Sequence, residues 1–336
     1  MSESLNAVQL GLFVSRLEAV CEEMGAVLQR AAFSPNIKDR LDFSCAIFDA
    51  QGELCAQAAH IPVHLGSMAY AMADIVGACD WAPGDMLVLN DPFLGGTHLP
   101  DVTVIAPYFR NGRLLAFIAN RAHHADIGGS TPGSMPLSQT LDEEGVVIPP
   151  TLLQRGGVLQ KSLLDAWFGV AEHGDFIAQL SANRCGLTRL DEVVAMLPLP
   201  FEQAIRQLQD YAEQLAMQRL QTLPAGDYYF SDVMDDDGFG HQDLPICAAL
   251  SLADGRAHVD FSGTAAQVQG NINCPRSVAA AAVYYVFRCL MPDEAPVCAG
   301  LFRPISLHVP EGSLLNARRP AAVAAGNVET SMRACD

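Results

Sequence analysis

The run "VTVIAPYF", the pair Asn111-Gly112 and the run "LLAFIANRAH" constrain this chain more than any other feature. Asn-Gly between two apolar runs is the strongest short-range signal for a two-residue hairpin, because both turn residues must take positive φ. If Arg110 pairs with Arg113 across that turn, paired residue numbers keep a constant sum. Asp101 then faces Ala122, Pro100 faces His123 and Leu99 faces His124. Directly opposed residues lie about 4.5–5.5 Å apart. Two segments distant in sequence, "NDPFLGGTHLPD" and "NRAHHADIGG", therefore meet at the open end of one ribbon.

Both segments are rich in metal-type ligands. His98, Asp101 and a histidine from 123 or 124 supply two imidazoles and one carboxylate. That set suits a divalent first-row metal with positions left for water and substrate, and manganese, zinc and iron fit it alike. The plainer alternative makes Asp101 a turn cap and leaves the histidines in polar loop contacts. Strict alternation puts Asp101 and His124 on one face and His123 on the other. Pro100 cannot donate to the ladder, so pairing there is open to disruption, and the residues alone do not choose between His123 and His124.

Around this hairpin the chain alternates strands and helices irregularly. Leu10, Phe13, Val14, Leu17, Val20, Cys21, Met24 and Leu28 form the stripe of an opening amphipathic helix. "DFSCAIFDAQGELCAQ" reads as two strands, "GSMAYAMADIVGACDW" as a helix and "GDMLVLNDP" as a short strand. Residues 127 to 157, rich in Gly and Pro, read as an ordered functional loop or lid. Two helices broken at Pro198-Leu199-Pro200 follow, then a strand, a hairpin turning at Asp254-Gly255, and the buried helix "SVAAAAVYYVFRCLM". The expected class is α+β, with mixed sheets built from hairpins and interspersed helices, and not a regular parallel wind. A boundary is expected near residue 225, separating a metal-site domain over 1–225 from a second α+β region over 226–336. "AAGNVETSMRACD" reads as the start of a helix with no stop signal, so the chain is expected to be the N-terminal part of a longer protein.

Charge excludes some partners. The formal net charge is −18 and the only lysines are Lys38 and Lys161, so a nucleic-acid surface is not expected. No secretory leader and no membrane-length apolar run is visible, which points to a cytoplasmic protein with reduced cysteines.

Weaker signals each have a structural role as the alternative. His60 and His64 are four apart, but Pro62 between them argues against a helix, and a structural role is preferred. Asp42 reads as a turn cap with substrate orientation as the alternative. "DVMDDDG" lacks the full calcium-loop pattern and reads as a solvated turn. Cys274 reads as a buried thiol rather than a nucleophile. Glu144 sits in a loop where a carboxylate can serve as general base. There is no phosphate-binding loop and no nucleophile elbow, so no cofactor-binding residues are assigned and ATP, if used, belongs to another chain.

At "SPNIKDRLDFSCAIFDAQGELCAQAAHIPVHLGSM", "GDMLVLNDPFLGGTHLPDVTV", "ANRAHHADIGG", "EGVVIPP", "VDFSGTAAQVQGNINCP" and "AAGNVETS" the chain resembles the hydantoinase B/oxoprolinase family. The resemblance implies a metal held by His98, Asp101 and His123, preferring His123 where alternation prefers His124. It also implies an ATP-binding partner subunit of the hydantoinase A type and a cyclic-amide substrate such as 5-oxoproline or a hydantoin. Asp126, His124 and Glu144 are then candidates for proton transfer or for supporting the ligands, and Asp91 for bracing the loop or joining the metal shell. The alternatives are the alpha subunit of an ATP-dependent acetone or ketone carboxylase, and a non-catalytic truncated scaffold.

Overall fold

A computed structural model describes residues 4–59, 61–77, 79–131, 135–168 and 173–336. The first helix, α1 (Ala7–Ala31), buries Leu10, Phe13, Leu17, Val20, Cys21, Met24 and Leu28 along one stripe. Asn6 and Gln9 exchange side-chain and backbone hydrogen bonds at its start, a capping box that fixes where it begins. Next come a single turn α2 (Pro35–Lys38), the hairpin β1 (Phe43–Asp49) and β2 (Leu54–Ala59), then α3 (His64–Ile75). β3 (Met86–Leu89) precedes the long ribbon of β4 (Asp101–Arg110) and β5 (Arg113–His123). α4 (Leu141–Glu144), β6 (Thr151–Arg155) and β7 (Val158–Leu159) lead into α5 (Lys161–Phe168), α6 (Gly174–Ala195) and α7 (Phe201–Gln221). The remainder is β8 (Gly226–Asp236), β9 (Gln242–Ala253), β10 (Arg256–Asp260), α8 (Arg276–Leu290), α9 (Ala299–Phe302), β11 (Ile305–His308), a π-helical turn (Gly326–Thr330) and α10 (Ser331–Cys335).

Two sheets result. One is seven-stranded, in the order β2-β1-β5-β4-β3-β6-β7, with antiparallel neighbours throughout. The other is four-stranded, in the order β11-β10-β9-β8, and pairs β10 with β11 in parallel. The class is α+β with antiparallel and mixed sheets, as expected. β6 and β7 were not foreseen. They lie within and just beyond the expected loop 127–157, where Thr151–Arg155 pairs with β3.

The large sheet is buried on both faces, which explains why its strands read as almost continuous apolar runs. Cys45, Ile47, Ile118 and Ala122 pack with α1 and α6. Their alternating neighbours Ala46, Phe48, Phe117, Ala119 and Ile105 pack with Met68, Met72 and Ile75 of α3. The second sheet begins at Gly226, and one core cluster runs through residues on both sides of that position.

The hairpin turns at Asn111-Gly112, where φ is 52° and 76°. Its register differs from the constant-sum expectation. Arg110 pairs with Arg113 and Phe109 with Leu114, but Tyr108 pairs with Ala116. Leu115 is the extra residue of a β-bulge, so every later pair shifts by one position. Asp101 therefore faces His123, Ala122 faces Val102, and the expected pairs Pro100 with His123 and Leu99 with His124 are corrected. The cause lies beside the turn, not at Pro100.

Candidate metal centre

On the α3 face, the apolar rows of the large sheet give way to polar ones at one end. Ser44, Arg121 and Thr103 form one row across β1, β5 and β4, and His123 with Asp101 form the next. Arg121 is fully buried and donates to Thr103 Oγ1 (2.9 Å), Ser67 Oγ (2.7 Å) and the Gly95 carbonyl (3.1 Å). Burial pulls its pKa down to about 10.

Asp101 opens β4 and His123 ends β5, so the ribbon itself holds these two residues opposite each other. His98 comes from the turn just before β4. That turn lies tight against α3: Gly95 has φ of +80°, and a Cβ there would meet the Ala71 backbone nitrogen at 2.2 Å. Only glycine fits such an approach, which is the physical reason for a glycine at this point of "FLGGTH".

His98 Nε2, His123 Nδ1 and Asp101 Oδ1 converge. Their separations are 3.3 Å between the two nitrogens and 3.4 Å from each nitrogen to the oxygen. Donors sharing one ion at about 2.0–2.2 Å in tetrahedral geometry stand about 3.3–3.6 Å apart. Asp101 Oδ1 is buried and has no hydrogen-bond partner among the described residues. The Nδ1–H of His98 donates to the Ala324 carbonyl (3.4 Å), which leaves the Nε2 lone pair facing the cluster. The donor set, the spacing and the orphaned oxygen all fit a divalent cation.

The other oxygen of Asp101 is committed. Thr97 Oγ1 and His64 Nε2 (3.3 Å) both donate to Oδ2. With Nε2 donating, His64 Nδ1 accepts from Ser44 Oγ (2.9 Å), and this fixes the tautomer. Asp42, His64 and Asp101 also group closely enough to suggest a second ion. With Oδ2 saturated by protein donors, the His64 side reads as a hydrogen-bond relay to Asp101, not as another metal position. Asp42 stands at the edge of the cluster, with Oδ2 3.6 Å from His123 Nδ1 and its carbonyl accepting from His123 N. Burial would lift the Asp101 carboxyl, yet His98 and His64 hold it well below the usual carboxylate range. Burial and the neighbouring Asp101 charge push Asp42 upward.

The other expected residues divide. His124 points to the opposite face of the sheet, where Nε2 meets Gln179 Oε1 (2.9 Å) and the ring packs on Phe176. Burial lowers its pKa. Glu144 is buried, and its Oε1 accepts from Ser138 Oγ (2.8 Å) and from Val323 N and Ala324 N (2.9 Å each). It therefore anchors the segment whose Ala324 carbonyl orients His98. Asp126 is exposed and closes a turn by accepting from Gly128 N (2.8 Å), outside the convergent group. Asp91 caps a short 3-10 turn and pairs with Arg319. Cys274 is fully buried, its thiol pushed up by burial and donating to the Gly326 carbonyl (3.1 Å).

The residues that sequence reasoning undervalued are His64, Asp42 and Asn327. Residues 61–63 are not helical, and Pro62 precedes a helix that begins at His64 itself. His60 lies outside the described residues. Asp42 sits one residue before β1, which pairs with β5 and carries it to His123. Asn327 reaches the cluster from far along the chain, with Nδ2 3.3 Å from His98 Nε2. A cavity of about 1090 Å³ opens onto the cluster, bordered by Asp42, His98, Asp101, His123 and Asn327.

Fold and site together define an α+β scaffold that presents a compact two-histidine, one-carboxylate centre at the floor of a cleft. The chain belongs to the Hydantoinase B/oxoprolinase family, which it matches over residues 6–336. It is 37% identical to 5-oxoprolinase 1 of Arabidopsis thaliana, over 98% of this chain and 29% of that protein. It is 29% identical to the B-type subunit of a putative D-/L-hydantoinase of Pseudomonas sp. (strain NS671), over 95% of this chain and 58% of that one. The crystal structure of ATP-dependent caprolactamase from Pseudomonas jessenii superposes with a TM-score of 0.90 at 26% identity, covering 99% of this chain and 59% of that one. The chain thus spans between 29% and 59% of the length of these relatives. Among the described residues, no helix is long and apolar enough to cross a membrane.

Proposed function

We propose that this chain is the metal-binding portion of an ATP-dependent cyclic amidohydrolase that opens 5-oxoproline or hydantoin rings. It works with an ATP-binding partner subunit of the hydantoinase A type. The observation that carries this reading is the convergence of His98 Nε2, His123 Nδ1 and the orphaned Asp101 Oδ1 at 3.3–3.4 Å. The 5-oxoprolinase and hydantoinase relatives supply the substrate class. That the hydantoinase relative is itself one subunit of its enzyme supports a partner. Cytoplasmic location remains the reading that accompanies this role.

His98, Asp101 and His123 would hold the ion, with manganese, zinc or iron each compatible. When bound, such an ion supplies Lewis acidity, polarising a carbonyl and lowering the pKa of water. The protein's own part is positional. His64 and Thr97 hold the Asp101 carboxylate so that only Oδ1 faces the cleft. Ala324 fixes the His98 tautomer, and Glu144 fixes Ala324. Asp42 stands at the cleft side of His123, where its carboxylate can complete the shell or take up a proton at Oδ2. His124 stiffens β5 from the opposite face through Gln179.

The test is product analysis of the chain co-expressed with its partner. ATP-dependent ring opening of 5-oxoproline or hydantoin is the expected result. ATP-dependent carboxylation of acetone with bicarbonate, and no ring opening, would replace this reading with the ketone carboxylase. A chain that acquires no divalent ion, alone or with its partner, would leave the scaffold role.

A further inference from the structure

Asn327 is the second residue of the π-helical turn Gly326–Thr330. Such turns are rare and concentrate at functional sites. This one is clamped in place. Ala325 N and Gly326 N both donate to the Asn271 carbonyl (3.0 Å each), and Thr330 Oγ1 donates to the Ile272 carbonyl. A Cβ at Gly326 would sit 1.9 Å from the Asn273 carbonyl oxygen, so the turn lies directly on that backbone. The side chain it presents is largely buried at the floor of the cleft. Nδ2 lies 3.3 Å from His98 Nε2, and Oδ1 is buried with no hydrogen-bond partner among the described residues. A buried carbonyl oxygen without a donor is costly, and native proteins rarely keep one without a use.

We propose that Asn327 selects ring amides by pairing Oδ1 with the substrate N–H and Nδ2 with the substrate carbonyl oxygen. The inference rests on the cyclic-amide reading above and extends it to how the ring is recognised. In a small ring the amide is cis, so its N–H and C=O leave from the same edge. A carboxamide side chain offers the complementary edge, and the two close with a pair of parallel hydrogen bonds. An open-chain secondary amide is trans and offers only one of its two groups to that edge. Once His98 Nε2 commits its lone pair to an ion, Nδ2 is free to donate to the substrate. The paired carbonyl then lies beside His98, where the chemistry is needed.

The experiment titrates the zinc-loaded chain with 2-pyrrolidinone, N-methyl-2-pyrrolidinone and N-methylacetamide, by calorimetry or ligand-observed NMR. The first is a cis amide with its N–H, the second lacks the N–H, and the third is trans. The wild-type chain is expected to prefer 2-pyrrolidinone by about tenfold or more, since a site built for a hydrogen bond rejects the analogue that lacks it. Asn327→Leu and Asn327→Ala are expected to keep their zinc and lose that preference. A purely structural role for Asn327 would lower all three affinities together and leave their ratio unchanged, and that result overturns the proposal. A wild-type chain that binds lactams without preference overturns it as well, while leaving the metal centre and the cyclic-amide reading intact. A zinc-loaded wild-type chain that binds no lactam at all overturns the functional reading and the proposal with it.

Discussion

Asp101 and His123 face each other across the β4–β5 ladder, with Oδ1 and Nδ1 3.4 Å apart. Because one opens its strand and the other ends its own, the pair sits where the ribbon is braced by pairing on one side and open to the cleft on the other. Asp101→Asn keeps the shape and removes the charge. It is expected to lose zinc retention on dialysis, as are His98→Ala and His123→Ala. A chelator is expected to lower the melting temperature of the wild-type chain but not of Asp101→Asn, because a bound ion adds about 2.7 kcal/mol at a hundredfold excess over Kd. Metal analysis showing one ion per chain in Asp101→Asn would refute the assigned ligand set.

His64 acts on the ion only through Asp101, so its loss should weaken binding without abolishing it. His64→Leu removes a donor to Oδ2 and is expected to lower zinc affinity by about 10–100-fold, the usual cost of losing an outer partner. His64→Gln returns an N–H near the position of Nε2 and should recover most of that loss. Cobalt substitution adds a spectroscopic readout: the visible bands should change in the Leu variant and return in the Gln variant. Equal affinity in all three proteins would show that Thr97 alone orients the carboxylate.

Gly95 carries the approach of the ligand turn to α3. Gly95→Ala is expected to destabilise the fold by about 1–3 kcal/mol from backbone conformation alone. The contact of its Cβ with the Ala71 backbone adds to that cost. Urea unfolding measures it, and a change below about 0.5 kcal/mol, the scale of ordinary surface substitutions, would show that the turn is not so held.

Glu144 gives a pH signature. Burial raises its pKa in the folded chain above the unfolded value of about 4.3. The folded state then holds a proton that the unfolded state has already released. The contribution of this group to stability therefore falls as pH rises from the unfolded value through the folded one, and stays low above it. Glu144→Gln keeps Oε1 for Ser138, Val323 and Ala324 and carries no such loss. The unfolding free energy of wild type minus variant should become less favourable as pH rises above the unfolded value of about 4.3. A difference that does not vary with pH would contradict the raised value.

Local signals made much of the fold legible. Asn111-Gly112 fixed the turn of the ribbon, and the stripe from Leu10 to Leu28 fixed the buried face of α1, because both depend on neighbours in the chain. The ligand-rich ends of the ribbon were placed together for the same reason. The bulge at Leu115 was not legible, since no glycine or proline marks it, and one unpaired residue is enough to exchange the faces of everything beyond it. That error is why alternation favoured His124 while the structure sets His123 against Asp101. His64 was undervalued because Pro62 was read only as a break within a helix and not as the approach to one. Asn327 and Ala324 carried no local mark at all: their meeting with His98 spans more than two hundred residues and is settled by packing.

The centre gathers its parts from Asp42 through to Asn327, so the chain as far as residue 327 must leave the ribosome before its last contributor can arrive. Until then His98, Asp101 and His123 would be an unshielded chelating trio on a sheet whose strands are already made, able to take up whichever cation the surroundings supply. The order of synthesis thus bears on which ion such a protein carries, and purification from cells grown in different metals is a natural place to look for it.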